Sequence, residues 1–132
     1  MPAFGDTREL LADHLTAEVG IPFKPNEPDT VSPPIGFIRP ASPFANYQQR
    51  QGRSTLALYR FEVLVLVGRI ADTTAHDRLN ELASADGPLV MALRSARMFR
   101  GPCSAVEGSL FGPVIVGGST YLGMQMLAEV LN

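Results

Sequence analysis

The sequence predicts an α+β domain of two layers, in which an antiparallel or mixed sheet of four to five strands carries helices on one face. Two observations lead to this expectation. Helical periodicity is confined to one stretch near the N-terminus and one in the middle of the chain, whereas strand-like alternation dominates the rest. The 132 residues, of which 45% are hydrophobic and 18% charged, suffice for one core, so we expect a single domain over residues 1–132.

The first helix is predicted from its capping residue and its apolar spacing. Asp6 can serve as the N-cap, and Glu9 three positions later completes a capping-box-like pair. Apolar residues then recur every four positions, at Leu11, Leu15 and Val19. Gly20 follows, so we expect the helix to end there.

A proline-rich stretch and a long loop are expected after this helix. Residues 22–43 hold seven of the eleven prolines, which limits regular pairing to a short strand over residues 35–39. Residues 40–54 show no periodicity and are predicted to form a long loop. A loop of that length in a compact domain is usually functional or mobile.

Residues 56–67 form the strongest predicted strand. Its odd positions from 59 to 67 are all apolar, while its even positions change from Arg60 and Glu62 to Leu64 and Leu66. We therefore expect this strand to be covered on both faces at one end.

Two helical pieces are predicted in the middle of the chain. Asp72 can cap a helix over about residues 73–84, and Pro88 suits the first turn of a second piece. Three arginines lie at three-residue spacing along the end of that second piece, at Arg94, Arg97 and Arg100.

Three strands are predicted to close the chain, over residues 104–110, 113–116 and 120–131. Gly117-Gly118 is the signal for a two-residue hairpin turn. In the last strand the apolar even positions from 122 to 130 face the core.

No motif has the spacing of a metal or catalytic site. His14 and His76 are the only histidines, and together with the single Cys103 they form no ligand pattern. Glu62, Glu107 and Glu129 could converge on the polar sheet face as paired carboxylates, but solvated strand positions are the commoner case. The motifs therefore predict no catalytic residue, no metal and no cofactor.

Charge is segregated along the chain although the net charge is only −2. Residues 1–29 hold six acidic and two basic residues, and residues 30–60 hold four arginines and no acidic residue. The basic segment fits either a phosphate-binding patch or one half of a complementary protein interface. Composition alone leaves both open.

A protein contact is favoured by the aromatic residues that accompany these arginines, because aromatic and arginine side chains are enriched at interface hot spots. The arginine row at residues 94–100 fits a solvated helix end that favours the helix dipole, with a partner contact as the less common alternative. The candidate interface residues are Arg39, Phe44, Tyr47, Arg50 and Arg53 in the basic segment, Glu9 and Asp13 in the first helix, and Arg94, Arg97 and Arg100.

Several segments, taken in their order along nearly the whole chain, carry a resemblance to a known family. They are the opening helix, Val31-Ser32-Pro33-Pro34-Ile35, the strand over residues 59–69, Asp77-Arg78-Leu79, Asp86-Gly87-Pro88, and the closing stretch over residues 116–123. With these segments the sequence resembles the small tail-terminator, or tail-completion, proteins of long-tailed bacteriophages with actinobacterial hosts.

This resemblance implies a structural virion protein without enzymatic activity or cofactor. Such a protein forms a six-membered ring that caps the tail tube, stops tube polymerisation and offers a docking surface to the head connector. Its expected partners are further copies of itself, the tail tube protein and the head-tail connector or stopper protein, while DNA passes the pore without specific binding. We expect it in the host cytoplasm during assembly and then in the tail or neck of the virion, with no membrane association.

Three alternatives stay open at the level of the sequence. The chain could be another neck component, such as a head-completion or stopper protein. It could be a small α+β ligand-binding domain or enzyme, which needs a concave site that collects the glutamates or Cys103. It could also be a nucleic-acid module in which Phe44 and Tyr47 stack on bases.

Overall fold

The computed structural model describes residues 4–29, 31–50, 54–69, 73–96 and 105–131. These residues form three helices and one five-stranded mixed sheet in the strand order β1-β2-β3-β5-β4. Strand β1 runs parallel to β2, and every other neighbouring pair is antiparallel. The elements are α1 (Phe4–Val19), β1 (Phe23–Lys24), β2 (Ile35–Arg50), β3 (Ser54–Gly68), α2 (Thr73–Ala83), α3 (Pro88–Ser95), β4 (Ala105–Val116) and β5 (Ser119–Leu131). The predicted α+β two-layer architecture is confirmed.

The main core lies between the helices and one face of the sheet, which we call the helix-bearing face. Each helix contributes leucines that are fully or almost fully buried, and the odd positions of β3 meet them. Full burial of an apolar side chain of this size contributes about 1.5–3 kcal/mol. The most deeply buried members include Leu11, Leu15, Leu79, Leu89, Leu93, Phe61, Val63 and Val65.

A second, smaller apolar cluster lies on the opposite face of the sheet. It joins Phe37 of β2 to Leu64 and Leu66 of β3, and Val31 packs against it. The prediction that one end of β3 is covered on both faces is confirmed. At the other end of the same face, Arg39 and Arg60 replace the apolar residues.

Helix α1 begins at Phe4, two residues before the predicted cap Asp6. The helix begins earlier because Phe4 makes an aromatic contact, which capping residues and apolar spacing do not reveal. The Phe4 ring stacks on Phe61 with 5.0 Å between ring centroids, and it lies 4.8 Å from the ring of Tyr59. Burial of this ring against β3 makes the first turn favourable.

The long loop predicted over residues 40–54 is wrong for residues 40–50 and 54, which belong to strands, and residues 51–53 lie outside the described residues. Strand β2 continues to Arg50, and residues 45–50 pair with residues 54–59 of β3. Pro40 and Pro43 fall in a stretch where the register shifts, and strand β1 pairs with β2 only at Gly36 and Phe37. Proline is compatible with an unpaired strand edge because no partner there needs its N–H. Main-chain hydrogen bonds hold such strands together, so the pairing need not leave a periodic signal in the side chains.

Strand β4 is continuous where two strands were predicted over residues 104–110 and 113–116. The break in pattern corresponds to a register shift between Gly108 and Leu110 and to Gly112 at φ 136°. A β-bulge of this kind displaces the alternation by one residue without ending the strand. Ser104 lies outside the described residues.

The last hairpin follows the sequence prediction. Gly117 and Gly118 have φ values of 59° and 79°, as the turn between two antiparallel strands requires. In β5 the even positions 122–130 are buried. The helix over Thr73–Ala83 and the piece beginning at Pro88 are also confirmed.

Candidate functional site

Apart from Met91 on α3 and Leu131 at the end of β5, the large apolar side chains exposed in the described part of the chain fall in two groups, one near each edge of the sheet. The first group, Phe44 and Tyr47, belongs to β2 and the second belongs to β4, which is the terminal strand on the other side. The second group consists of Leu110, Phe111 and Ile115. The sheet therefore carries two unlike apolar patches near its opposite edges.

The first patch lies on a two-stranded projection that we call the arm, made of residues 44–50 and 54–59. Strand β5 pairs with β3 only as far as Leu58, so in the described part of the chain residues 54–57 pair with β2 alone. Tyr47 is opposite Ala57, on the helix-bearing face, and it is 60% exposed. The arm therefore presents an aromatic ring that its own chain leaves uncovered.

The base of the arm is fixed to α1. The Phe44 ring lies 5.3 Å from the ring of Phe4, and Phe4 in turn stacks on Phe61. The Arg8 guanidinium donates a hydrogen bond of 3.0 Å from Nη2 to the Ile38 carbonyl oxygen. Burial lowers the pKa of the Arg8 guanidinium below its ordinary value. Sequence reasoning missed Arg8, whose role depends on a contact thirty positions away.

The second patch surrounds a shallow cavity of about 410 Å³ between the end of α2 and β4. We call this cavity the β4 groove. Gly108 and Phe111 line it from β4, and Ala83 lines it from α2. Met124 and Met126 also line it. Phe111 is 55% exposed beside it and Ile115 is 74% exposed further along the strand.

The sequence missed this second patch. Its residues alternate like those of an ordinary strand, so they were predicted only as strand positions. The available signal was the density of apolar residues on both faces of β4, where Leu110 and Phe111 are adjacent and followed by Val114 and Ile115. An edge strand with one solvated face needs fewer apolar residues than β4 contains.

In the basic segment, the arginines whose side chains the structure describes, Arg39 and Arg60, form ion pairs away from Tyr47. Arg39 Nε lies 2.5 Å from Glu62 Oε2, and Arg39 also donates to Gln125 Oε1 at 3.3 Å. Arg60 Nε lies 3.4 Å from Glu129 Oε1. Both ion pairs lie on the face opposite the helices, whereas Tyr47 lies on the helix-bearing face. The expected grouping of Arg39 with Phe44 and Tyr47 is therefore wrong.

The same two ion pairs decide the arrangement of the strand glutamates. Glu62 faces Arg39 and Glu129 faces Arg60, so each of these carboxylates has an arginine as its partner. Glu107 is exposed on β4. Glu62 and Glu129 therefore form cross-strand charge pairs, which stabilise a sheet by a few tenths to about 1 kcal/mol each, in place of the carboxylate convergence that the sequence left as the less common alternative.

The remaining candidates are distributed over the helical layer. Glu9 and Asp13 are exposed on α1, the helix that contacts the base of the arm through Phe4. Arg94 is exposed in the last turn of α3. The side chain of Arg50 is not among the described features, and Arg53, Arg97, Arg100 and Cys103 lie outside the described residues.

The two histidines lie on helices, His14 on α1 and His76 on α2. His14 Nε2 lies 2.8 Å from the Ala92 carbonyl oxygen and so links α1 to α3. His76 is exposed on α2. Among the described residues no three His, Cys, Asp or Glu side chains group as metal ligands do. In the same part of the chain, no helix has the length and apolar character needed to cross a bilayer.

Comparison with known proteins gives no match to this sequence, either among protein-family models or among curated proteins.

Proposed function

We propose that the chain is a structural virion protein, the tail terminator of a long-tailed bacteriophage. In this proposal copies of the chain form a six-membered ring on the end of the tail tube. The ring stops addition of tube subunits and presents its other side to the head connector or stopper. The chain performs no catalysis and binds no cofactor, and DNA passes the pore without specific contacts.

The observation that carries the proposal is the placement of two unlike apolar patches at opposite edges of one sheet. A closed ring of identical subunits uses head-to-tail contacts, which need two different surfaces on each copy. The arm with Tyr47 and the β4 edge with Phe111 and Ile115 supply such a pair of surfaces. The resemblance of the ordered sequence segments supplies the location at the tail end.

The experiment adds the purified chain to a polymerising tail tube protein and measures tube lengths by electron microscopy. We expect tubes to stop growing and their mean length to fall as the ratio of chain to tube protein rises. The matched control replaces Met91, which is 52% exposed on α3 outside both patches, by glutamine. This variant is expected to shorten tubes as the unmodified chain does.

Two results would contradict the proposal. Tubes whose length does not depend on the added chain would show that it does not terminate them. Binding to purified connectors with no binding to tube ends would favour the alternative of a head-completion or stopper protein.

A further inference from the structure

We propose that the arm of one copy inserts Tyr47 into the β4 groove of the next copy. This inference rests on the proposed ring and names the contact that would build it. The occupant is a second copy of this chain, because each copy carries both a projecting aromatic ring and an apolar groove that its own fold leaves open.

Strand direction supports a head-to-tail arrangement. Strands β2, β3, β5 and β4 follow each other across the sheet and are antiparallel at every step. A second copy placed at the β4 edge in the same orientation therefore brings its β2 next to β4 in antiparallel direction. The antiparallel alternation of strand directions then continues from one copy to the next.

The two aromatic rings also lie on the same face of the sheet. Tyr47 is opposite Ala57, and Phe111 is opposite Met124, and both partners belong to the core on the helix-bearing face. Tyr47 lies level with Ala57 of β3 and Phe111 lies level with Val65, eight residues further along that strand. With both copies in the same orientation and one displaced along the strand direction by this distance, Tyr47 of one and Phe111 of the other lie side by side on the same face of the extended sheet. Aromatic rings that meet in this way are typical anchors of protein interfaces.

Charge favours the same pairing. The sequence from Pro40 to Leu58 contains no acidic residue and includes Arg50. The opposite flank carries an exposed acidic residue on β4, Glu107. Opposite charges on two such surfaces steer their encounter and select the partner.

A symmetric contact between two β4 edges is less favourable. It would place the Glu107 residues of both copies at one interface, where like charges oppose pairing. It would also leave both arms uncovered and could not close a ring.

The test measures self-association of the purified chain by sedimentation velocity at up to about 1 mM protein. Three variants are compared. Tyr47→Gln removes the ring of the arm, and Gly108→Leu fills the groove. Met91→Gln is the matched control. A Cβ atom at Gly108 would meet nothing closer than Met126 Sδ at 3.8 Å, so the first atom of a new side chain has room in the groove.

We expect Tyr47→Gln and Gly108→Leu each to weaken self-association by about tenfold or more, and Met91→Gln to leave it unchanged. An equimolar mixture of Tyr47→Gln and Gly108→Leu is expected to form a one-to-one dimer. In that mixture the intact arm of Gly108→Leu binds the intact groove of Tyr47→Gln. No further copy can add, because the two surfaces that remain free are the altered ones. Circular dichroism and thermal unfolding verify that all variants remain folded.

Four results would overturn the inference. The unmodified chain could stay monomeric throughout, either single variant could form a symmetric dimer, or the mixture could fail to dimerise. The fourth is loss of association in the double variant Glu9→Lys, Asp13→Lys with Tyr47→Gln unaffected, which would assign the contact to α1 instead. Sedimentation measures self-association in the absence of tube protein. The contact can therefore hold when tube termination fails, and tube termination can hold when this contact fails.

Discussion

Gly123→Ala is expected to destabilise the domain strongly, because the substitution forces a methyl group between two paired strands. A Cβ atom at Gly123 would lie 2.4 Å from the backbone carbonyl oxygen of Val65 and 2.8 Å from Leu66 Cδ2. Carbon atoms do not approach a backbone oxygen that closely. Leu66 is fully buried, so it has little room to withdraw. Strand β5 must therefore move away from β3 in the middle of the sheet.

The expected cost follows from that displacement. Overpacking of a well-packed core costs typically about 1–3 kcal/mol, and the separation of β5 from β3 also weakens ladder hydrogen bonds. We expect a loss of about 3 kcal/mol in the free energy of unfolding, which lowers the thermal midpoint of a domain of this size by roughly 10 °C. Urea and thermal unfolding followed by circular dichroism measure both quantities, at low protein concentration so that self-association does not contribute.

Gly108→Ala is the matched control on the neighbouring strand. Its new Cβ atom would meet Met126 Sδ at 3.8 Å, which is an ordinary van der Waals distance. We expect a change within about 0.5 kcal/mol. If Gly123→Ala were as stable as Gly108→Ala, the close approach of β5 to β3 at this position would be refuted.

Three further changes test other parts of the fold. Phe4→Ala removes the ring between α1, the arm and β3, and we expect about 2 kcal/mol of destabilisation in urea unfolding together with faster amide exchange in the arm; unchanged exchange would contradict the anchoring role. Gly118→Val places a β-branched residue at φ 79° and should cost about 1–3 kcal/mol, whereas an unchanged thermal midpoint would argue against the turn. Glu62→Gln weakens the pair with Arg39, a half-exposed contact, and should cost at most about 1 kcal/mol at low salt and less at high salt; a loss that does not depend on salt would show that the charge is not the cause.

Sequence patterns predict those parts of the fold in which one face of an element is buried. The odd positions of β3 and the even positions of β5 alternate because the helices cover one face of the sheet. Leu64 and Leu66 break the alternation because a second cluster covers the opposite face there. The glycine pair at 117–118 predicts its turn because positive φ values cost glycine little.

The arm and the β4 groove could not be read from the same patterns. The arm is held by backbone pairing and, at its base, by Phe4 of α1, and the sequence of residues 40–50 carries no period that would reveal this pairing. The groove depends on where α2 ends relative to β4, a long-range arrangement that local spacing does not encode. The partners of Arg39 and Arg60 are long-range as well. Strand register places Glu62 opposite Arg39 and Glu129 opposite Arg60, and local spacing does not encode that register.

We propose that copies of this chain close a ring on the end of a tail tube. Image averaging of tube ends, after polymerisation of tube protein in the presence of the chain, tests this proposal. We expect one ring with six-fold symmetry at a single end of each tube, in which the arm of every subunit contacts the β4 edge of its neighbour. Tube ends without added density, or density that binds along the tube wall without preference for an end, would contradict it.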